Sequence, residues 1–219
     1  MAGGIDVAKT EPEIAIQHLF SAPFLSLVWK DTEDLNDQLS SLILEKRKTL
    51  PSVNMTNTGG WQSEKNFHTW DTQAVRDLMV KIDIAVFMIT SDCLGEEAVT
   101  SLEEKWRAVA WANVNERNDY NNLHNHSGGV WSGVYYVDAG DDQDEHPLSG
   151  VISFRNPTLA PLTLDNTKSP KVVKKLFRSE YSITPQNSQM IIFPSWLEHQ
   201  VHPYFGSRPR ISVSWDVVF

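Results

Sequence analysis

Apolar positions recur every three to four residues in the first half of the chain and every second residue in the second half. Asp31-Thr32-Glu33-Asp34 reads as a helix start, with acids at the positive end of the helix dipole. Leu35, Leu39, Leu42 and Ile43 then share one face, Lys46, Arg47 and Lys48 close the helix, and Pro51 stops it. A second helix is predicted from Asp71-Thr72, with Val75, Leu78, Met79, Ile82 and Val86 as its stripe. A third follows Gly95, with Glu96 and Glu97 in its first turn and a stripe of Val99, Leu102, Trp106 and Val109. Between the first two helices, Asn57-Thr58-Gly59-Gly60-Trp61-Gln62-Ser63 reads either as a loop lining a site or as a turn that anchors a core tryptophan.

The period then changes to two. Strands are predicted at Val130–Val137, Gly150–Phe154, Ser188–Pro194, His199–His202 and Arg210–Val218. Short strands separated by Gly, Pro, Asn and Asp turns indicate a β-sandwich or jelly roll. The acidic run 141–145 reads as a solvated hairpin loop. Neither repeats nor a linker interrupt the pattern, so residues 1–219 are expected to form a single domain. In it, 1–115 serve as mostly helical support and 116–219 as a β core.

Composition narrows the function classes. With 219 residues, 41% hydrophobic and 21% charged, the chain can bury a full core. Nineteen basic residues against 28 acidic give a net charge of −9, which argues against non-specific nucleic-acid binding. No apolar run reaches the roughly 18 residues of a membrane helix. Met1 to Glu13 lacks a basic segment followed by an apolar core, so a soluble cytoplasmic protein is expected. The single cysteine, Cys93, excludes an internal disulfide and a cysteine-based zinc site.

The candidate chemistry lies in the histidines. His124-Asn125-His126 sets two imidazoles at i and i+2, which share a face on an extended segment. His199 opens a strand just after the turn Ser195-Trp196-Leu197-Glu198, well placed as a third ligand. Three inward imidazoles at a barrel mouth suit a divalent first-row metal with open coordination positions. His202 points to the opposite face. Arg210 and Ser212 alternate onto one face of the last strand. If that face carries the metal, the buried guanidinium needs an anion, and a small dicarboxylic acid would supply one. Otherwise Arg210 is an edge-strand arginine paired with Asp216. Arg155 reads equally as a substrate contact or a solvated loop residue. Trp61, Trp70, Trp131 and Trp196 either shape the cleft or fill the core.

In order and type, His124, His126, His199 and Arg210 resemble the motif of the iron(II)- and 2-oxoglutarate-dependent dioxygenases. More closely, the chain resembles small oxygenases of bacteria and phages with a His-x-His pair. The shared motifs are Ser132-Gly133-Val134-Tyr135-Tyr136 and Phe193-Pro194-Ser195-Trp196-Leu197-Glu198-His199, then Pro203, Arg210 and Ser212. The likeness runs from about Trp61 to the C-terminus and leaves the first 55 residues without specific motifs. It implies a double-stranded β-helix, jelly-roll and cupin-like, packed against N-terminal helices. It implies Fe(2+) on His124, His126 and His199, and 2-oxoglutarate as cosubstrate with its far carboxylate on Tyr136, Arg210 and Ser212. Ascorbate is an optional reductant. The implied reaction hydroxylates an unactivated C–H bond of a small molecule, amino acid or peptide side chain and releases succinate and CO2. A homodimer is admitted; nucleic-acid and membrane partners are not expected.

The chain departs from the superfamily in one respect: His126 stands where a carboxylate ligand is usual. Either it coordinates, giving a three-histidine site, or it only flanks the metal. The i, i+2 geometry favours coordination. Two alternatives to the main reading are a non-redox, cupin-like ligand-binding module and a three-histidine dioxygenase that does not use 2-oxoglutarate.

Overall fold

Two of the helices form where the 3.6-residue pattern puts them in the computed structural model, which describes residues 21–102, 106–141, 146–158 and 179–218. After a short strand β1 (Leu25–Val28), helix α1 runs Glu33–Thr49 and buries Leu39 and Ile43. Glu33 and Asp34 occupy its first turn, and Lys46, Arg47 and Lys48 its last, so both ends suit the helix dipole. Helix α2 runs Gln73–Leu94. The Thr72 hydroxyl accepts from the Val75 backbone N–H and so caps it. Val75, Leu78, Ile82, Val86 and Ile89 are buried on one side of α2, each contributing about 1.5–3 kcal/mol. No helix among the described residues is long and apolar enough to cross a membrane.

The third helix is shorter than its expected stripe. Helix α3 covers Glu96–Leu102, and Arg107–Asn115 is strand β4, so Val109 belongs to the sheet. The spacing of Trp106 and Val109 fits a helix, but Ala108, Ala110, Ala112 and Val114 also alternate with period two. The strand reading wins because every residue of β4 finds a partner on the last strand, from Arg107↔Val218 to Asn115↔Arg210. The β core therefore begins before residue 116. Four strands fall in the part expected to be mostly helical: β1, β2 (Asn57–Thr58), β3 (Trp61–Gln62) and β4.

The remaining strands are β5 (Tyr120–His124), β6 (Trp131–Asp138), β7 (Ile152–Arg155), β8 (Glu180–Ile183), β9 (Gln189–Pro194), β10 (His199–Val201) and β11 (Arg210–Val218). They build two antiparallel sheets, ordered β1-β9-β6-β11-β4-β3 and β2-β5-β10-β7-β8. Of the expected acidic hairpin loop, residues 142–145 lie outside the described residues.

Strand alternation divides the larger sheet between two cores. Tyr135, Val137, Met190, Ile192, Val213, Trp215 and Val217 join α1 and α2 in one cluster. Val134, Tyr136, Ile191 and Phe193 point the other way and pack with Ile152, Phe154 and Val201 of the smaller sheet. This is the double-stranded β-helix arrangement, with helices covering the outer face of the larger sheet. Gly133 is required by close packing rather than by its turn potential. A Cβ there would lie 2.3 Å from the Trp215 ring and 2.8 Å from the Ile191 carbonyl oxygen.

Candidate metal centre and anion pocket

A cavity of about 210 Å³ opens between the two sheets, with the three predicted histidines and Arg210 among its lining residues. His124 ends β5 and His199 opens β10, and the two are direct register partners across the smaller sheet. His126 lies just beyond β5, held by its backbone N–H on the Ser195 carbonyl at 2.9 Å. The His124 and His199 ring centroids are 4.3 Å apart, and His126 is 5.1 Å from each. One ring nitrogen from each of the three lies within 4.8 Å of the others.

The tautomers follow from the partners. His124 Nδ1 is 2.6 Å from the Asn122 carbonyl oxygen, His199 Nδ1 is 3.0 Å from that of Leu197, and His126 Nδ1 is 2.5 Å from Asp216 Oδ1. Carbonyl and carboxylate oxygens only accept, so each Nδ1 carries the proton and each Nε2 presents a lone pair. His126 Nε2 is buried and lacks a hydrogen-bond partner. Burial, aided by the neighbouring His124, lowers the His199 pKa to about 3. Burial also lowers that of His124, against the opposing pull of the Asn122 carbonyl. Three clustered imidazoles whose Nδ1 atoms are engaged elsewhere leave their Nε2 atoms to fit a divalent first-row cation.

Arg210, Ser212, Ser214 and Asp216 alternate into the cavity, while Ile211, Val213, Trp215 and Val217 face the helices. Arg210 is only 3% exposed, yet among the described residues its one hydrogen-bonded side-chain partner is Asn115 Oδ1, 3.3 Å from Nη1. Its Nε is buried without a partner, and so is the hydroxyl of Tyr136, whose ring lies 5.0 Å from the guanidinium carbon. Burial raises the Tyr136 pKa despite the opposing Arg210 charge, so the phenol stays protonated and can donate. Ser212 sits opposite Tyr136 in the sheet register. A buried cation with its own Nε unused, beside an unused phenol, is the complement of a carboxylate.

Arg210 does not pair with Asp216. The two share a face, but six residues along a strand separate them by about 20 Å. Asp216 instead lies behind His126. It accepts from Ser132 Oγ at 2.8 Å and from Lys65 Nζ at 2.8 Å as well as from His126. Burial pushes its pKa up, but these bonds outweigh burial and hold the carboxyl below its ordinary value. Sequence reasoning treated Asp216 only as an alternative partner for Arg210 and passed over Trp111, which stacks on His126 at 5.6 Å. The available signal was alternation: Asp216 shares parity with Arg210 and Ser212.

Other expectations sort out by position. Arg155 is exposed outside the cavity with Glu198 3.6 Å away, so it is a surface residue. His202 bonds to Ser153 Oγ at 2.9 Å, on the other side of β10 from His199. Trp61, Trp70 and Trp131 are buried and Trp196 is half-exposed, and none of them lines the cavity. The Asn57–Ser63 loop serves both of its readings, since Trp61 enters the core while Gln62 lines the cavity.

Residues 109–216 match the model of a family described as "Putative 2OG-Fe(II) oxygenase". No protein of curated function matches the sequence. Among solved structures, a prolyl-4-hydroxylase from Pseudomonas putida is similar over 91% of this chain and 94% of its own, with a TM-score of 0.61 at 13% identity. The viral collagen prolyl hydroxylase of Paramecium Bursaria Chlorella virus-1, solved as its 2-oxoglutarate complex, is similar over 89% of this chain and 95% of its own (TM-score 0.53, 11% identity). HygX from Streptomyces hygroscopicus, solved with nickel, 2-oxoglutarate and hygromycin B bound, is similar over 90% and 83% (TM-score 0.54, 10% identity). At these identities the likeness is one of fold.

Proposed function

The chain belongs to the 2OG-Fe(II) oxygenase family through residues 109–216, and from that premise we propose that it hydroxylates an unactivated C–H bond, with release of succinate and CO2. In this reading His124, His126 and His199 hold the iron through Nε2. Arg210, Tyr136 and Ser212 hold the far carboxylate of 2-oxoglutarate.

One observation carries the reading. A single cavity holds three clustered imidazoles and a buried arginine that has no anion of its own among the described residues. Iron(II), 2-oxoglutarate and dioxygen supply the oxidising power when bound: one oxygen atom goes to the substrate and the other to succinate. The chain's part is placement. Arg210 and Tyr136 fix the cosubstrate by donating hydrogen bonds. Asn122, Leu197 and Asp216 keep each histidine in the tautomer that leaves Nε2 free. Phe193, Ile152, Val134 and Val201 make the intervening wall apolar and restrict water. The cavity is smaller than the roughly 300–1,000 Å³ of sites that engulf a drug-sized ligand. The substrate, a small molecule, amino acid or peptide side chain, therefore inserts only its reacting end.

The buried guanidinium favours this reading over a non-redox binding module and over a dioxygenase that dispenses with 2-oxoglutarate, since neither needs an anion at that depth. The test is succinate formation from 2-oxoglutarate with iron(II) and ascorbate, in the parent and in His199→Ala. Uncoupled turnover by the parent and none by the variant are expected. Iron binding without any succinate, and without a spectral response to 2-oxoglutarate, would overturn the reading in favour of those alternatives.

A further inference from the structure

His126 differs from the other two histidines in what stands behind it. His124 and His199 donate Nδ1–H to neutral carbonyls, whereas His126 donates to the buried carboxylate of Asp216 at 2.5 Å. Asp216 is built into that position. It sits on β11 opposite Ser132 of β6, and the Ser132 hydroxyl donates to the same oxygen at 2.8 Å while sharing a hydrogen bond with Ser195 Oγ. Its other oxygen takes Lys65 Nζ at 2.8 Å. The Lys65 ammonium also lies 4.4 Å over the ring of Trp111, whose face stacks on His126.

We propose that Asp216, acting through His126, is a positioning residue that returns to the metal the negative charge this three-histidine site lacks, and that Lys65 limits how much of that charge arrives. This rests on His126 being a ligand. A carboxylate hydrogen-bonded to Nδ1–H orients the ring and makes Nε2 a stronger donor to a cation. The anionic group of the site is thus set one imidazole away from the metal instead of on it. Lys65 acts in the opposite sense on two counts. It draws on the Asp216 charge, and it places a second cation near the metal. Lys65 is about half exposed, so it can be removed without opening the core.

The experiment measures metal affinity of the full-length apoprotein under anaerobic conditions, by competition for cobalt(II) and iron(II) with a chromophoric chelator. D216N keeps an oxygen that can accept from His126, removes the charge, and turns a donor NH2 towards Lys65 in place of the accepting oxygen. It should weaken metal binding about 10- to 100-fold. K65M should tighten it by up to about fivefold, the range of a partly exposed ion pair. H126A should lose most of it. If H126A binds like the parent, the ligand reading fails and this inference falls with it. If H126A is impaired while D216N stays within about twofold of the parent, the ligand reading stands and the role given to Asp216 is wrong. Should D216N lose its cooperative melting transition, S132A decides, since it removes a hydrogen bond from Asp216 without changing any charge: tighter binding supports the proposal, and unchanged or weaker binding overturns it. A purely structural Asp216 leaves K65M only the direct repulsion between Lys65 and the metal, so tightening of the same size in parent and D216N backgrounds would also overturn the proposal.

Discussion

Replacing Arg210 by methionine separates cosubstrate binding from stability. The side chain is 3% exposed, its stem packs against Gly150, and among the described residues its guanidinium has Asn115 and the Tyr136 ring but no carboxylate for company. Methionine keeps most of the volume and removes a buried, unneutralised charge. Such replacements are commonly neutral or stabilising, so the apoprotein should melt at the parent temperature or above. Cosubstrate binding should suffer. A charge-assisted hydrogen bond contributes about 1.5–3 kcal/mol. Tyr136 and Ser212 remain to hold part of the carboxylate. At about 1.4 kcal/mol per decade, the 2-oxoglutarate dissociation constant should rise roughly tenfold to more than a hundredfold. Lysine should rescue only in part, because it lacks the planar bidentate fork. The assay is anaerobic titration of 2-oxoglutarate into the iron(II) form, followed by its metal-to-ligand absorption band, beside thermal melts of the apoprotein. Iron affinity should not change, since Arg210 is not among the clustered histidines. Titration of Arg210→Met at the parent midpoint would refute the anion pocket. So would an apoprotein that melts far lower, because the arginine would then have a partner in the fold itself.

The metal-free protein should lose stability on acidification from about pH 6.5 towards 3. The folded pKa of His199 is depressed to about 3, so the unfolded chain binds the extra proton across that window. His199→Gln should flatten this slope in melts taken between pH 7.5 and 4.5, and an unchanged slope would count against the burial argument. Gly133→Ala should cost about 1–3 kcal/mol in denaturant unfolding, because its Cβ meets the Trp215 ring and a strand carbonyl. Arg155→Ala should titrate 2-oxoglutarate at the parent midpoint, since that side chain is exposed outside the cavity.

Local pattern alone determined much of this protein. The dipole-matched ends of α1, the cap of α2 and the full extent of β11 are written in neighbouring residues, because capping, helical period and strand alternation act over a few positions. The same alternation put Arg210 and Ser212 on one face, and motif resemblance singled out His124, His126 and His199. Tertiary structure decided the rest. The alanines of 107–115 have no strong strand preference, and only pairing with β11 makes that segment a strand. Asp216 meets His126 across 90 positions of sequence. Nothing local distinguishes a carboxylate that neutralises Arg210 on its own strand from one that stands behind a histidine on another. The distance of six residues along a strand rules out the first, and the register of β11 against β6 and β4 produces the second. Which of two like-facing groups a side chain reaches is set by strand pairing, a long-range choice made by the packing of both sheet faces.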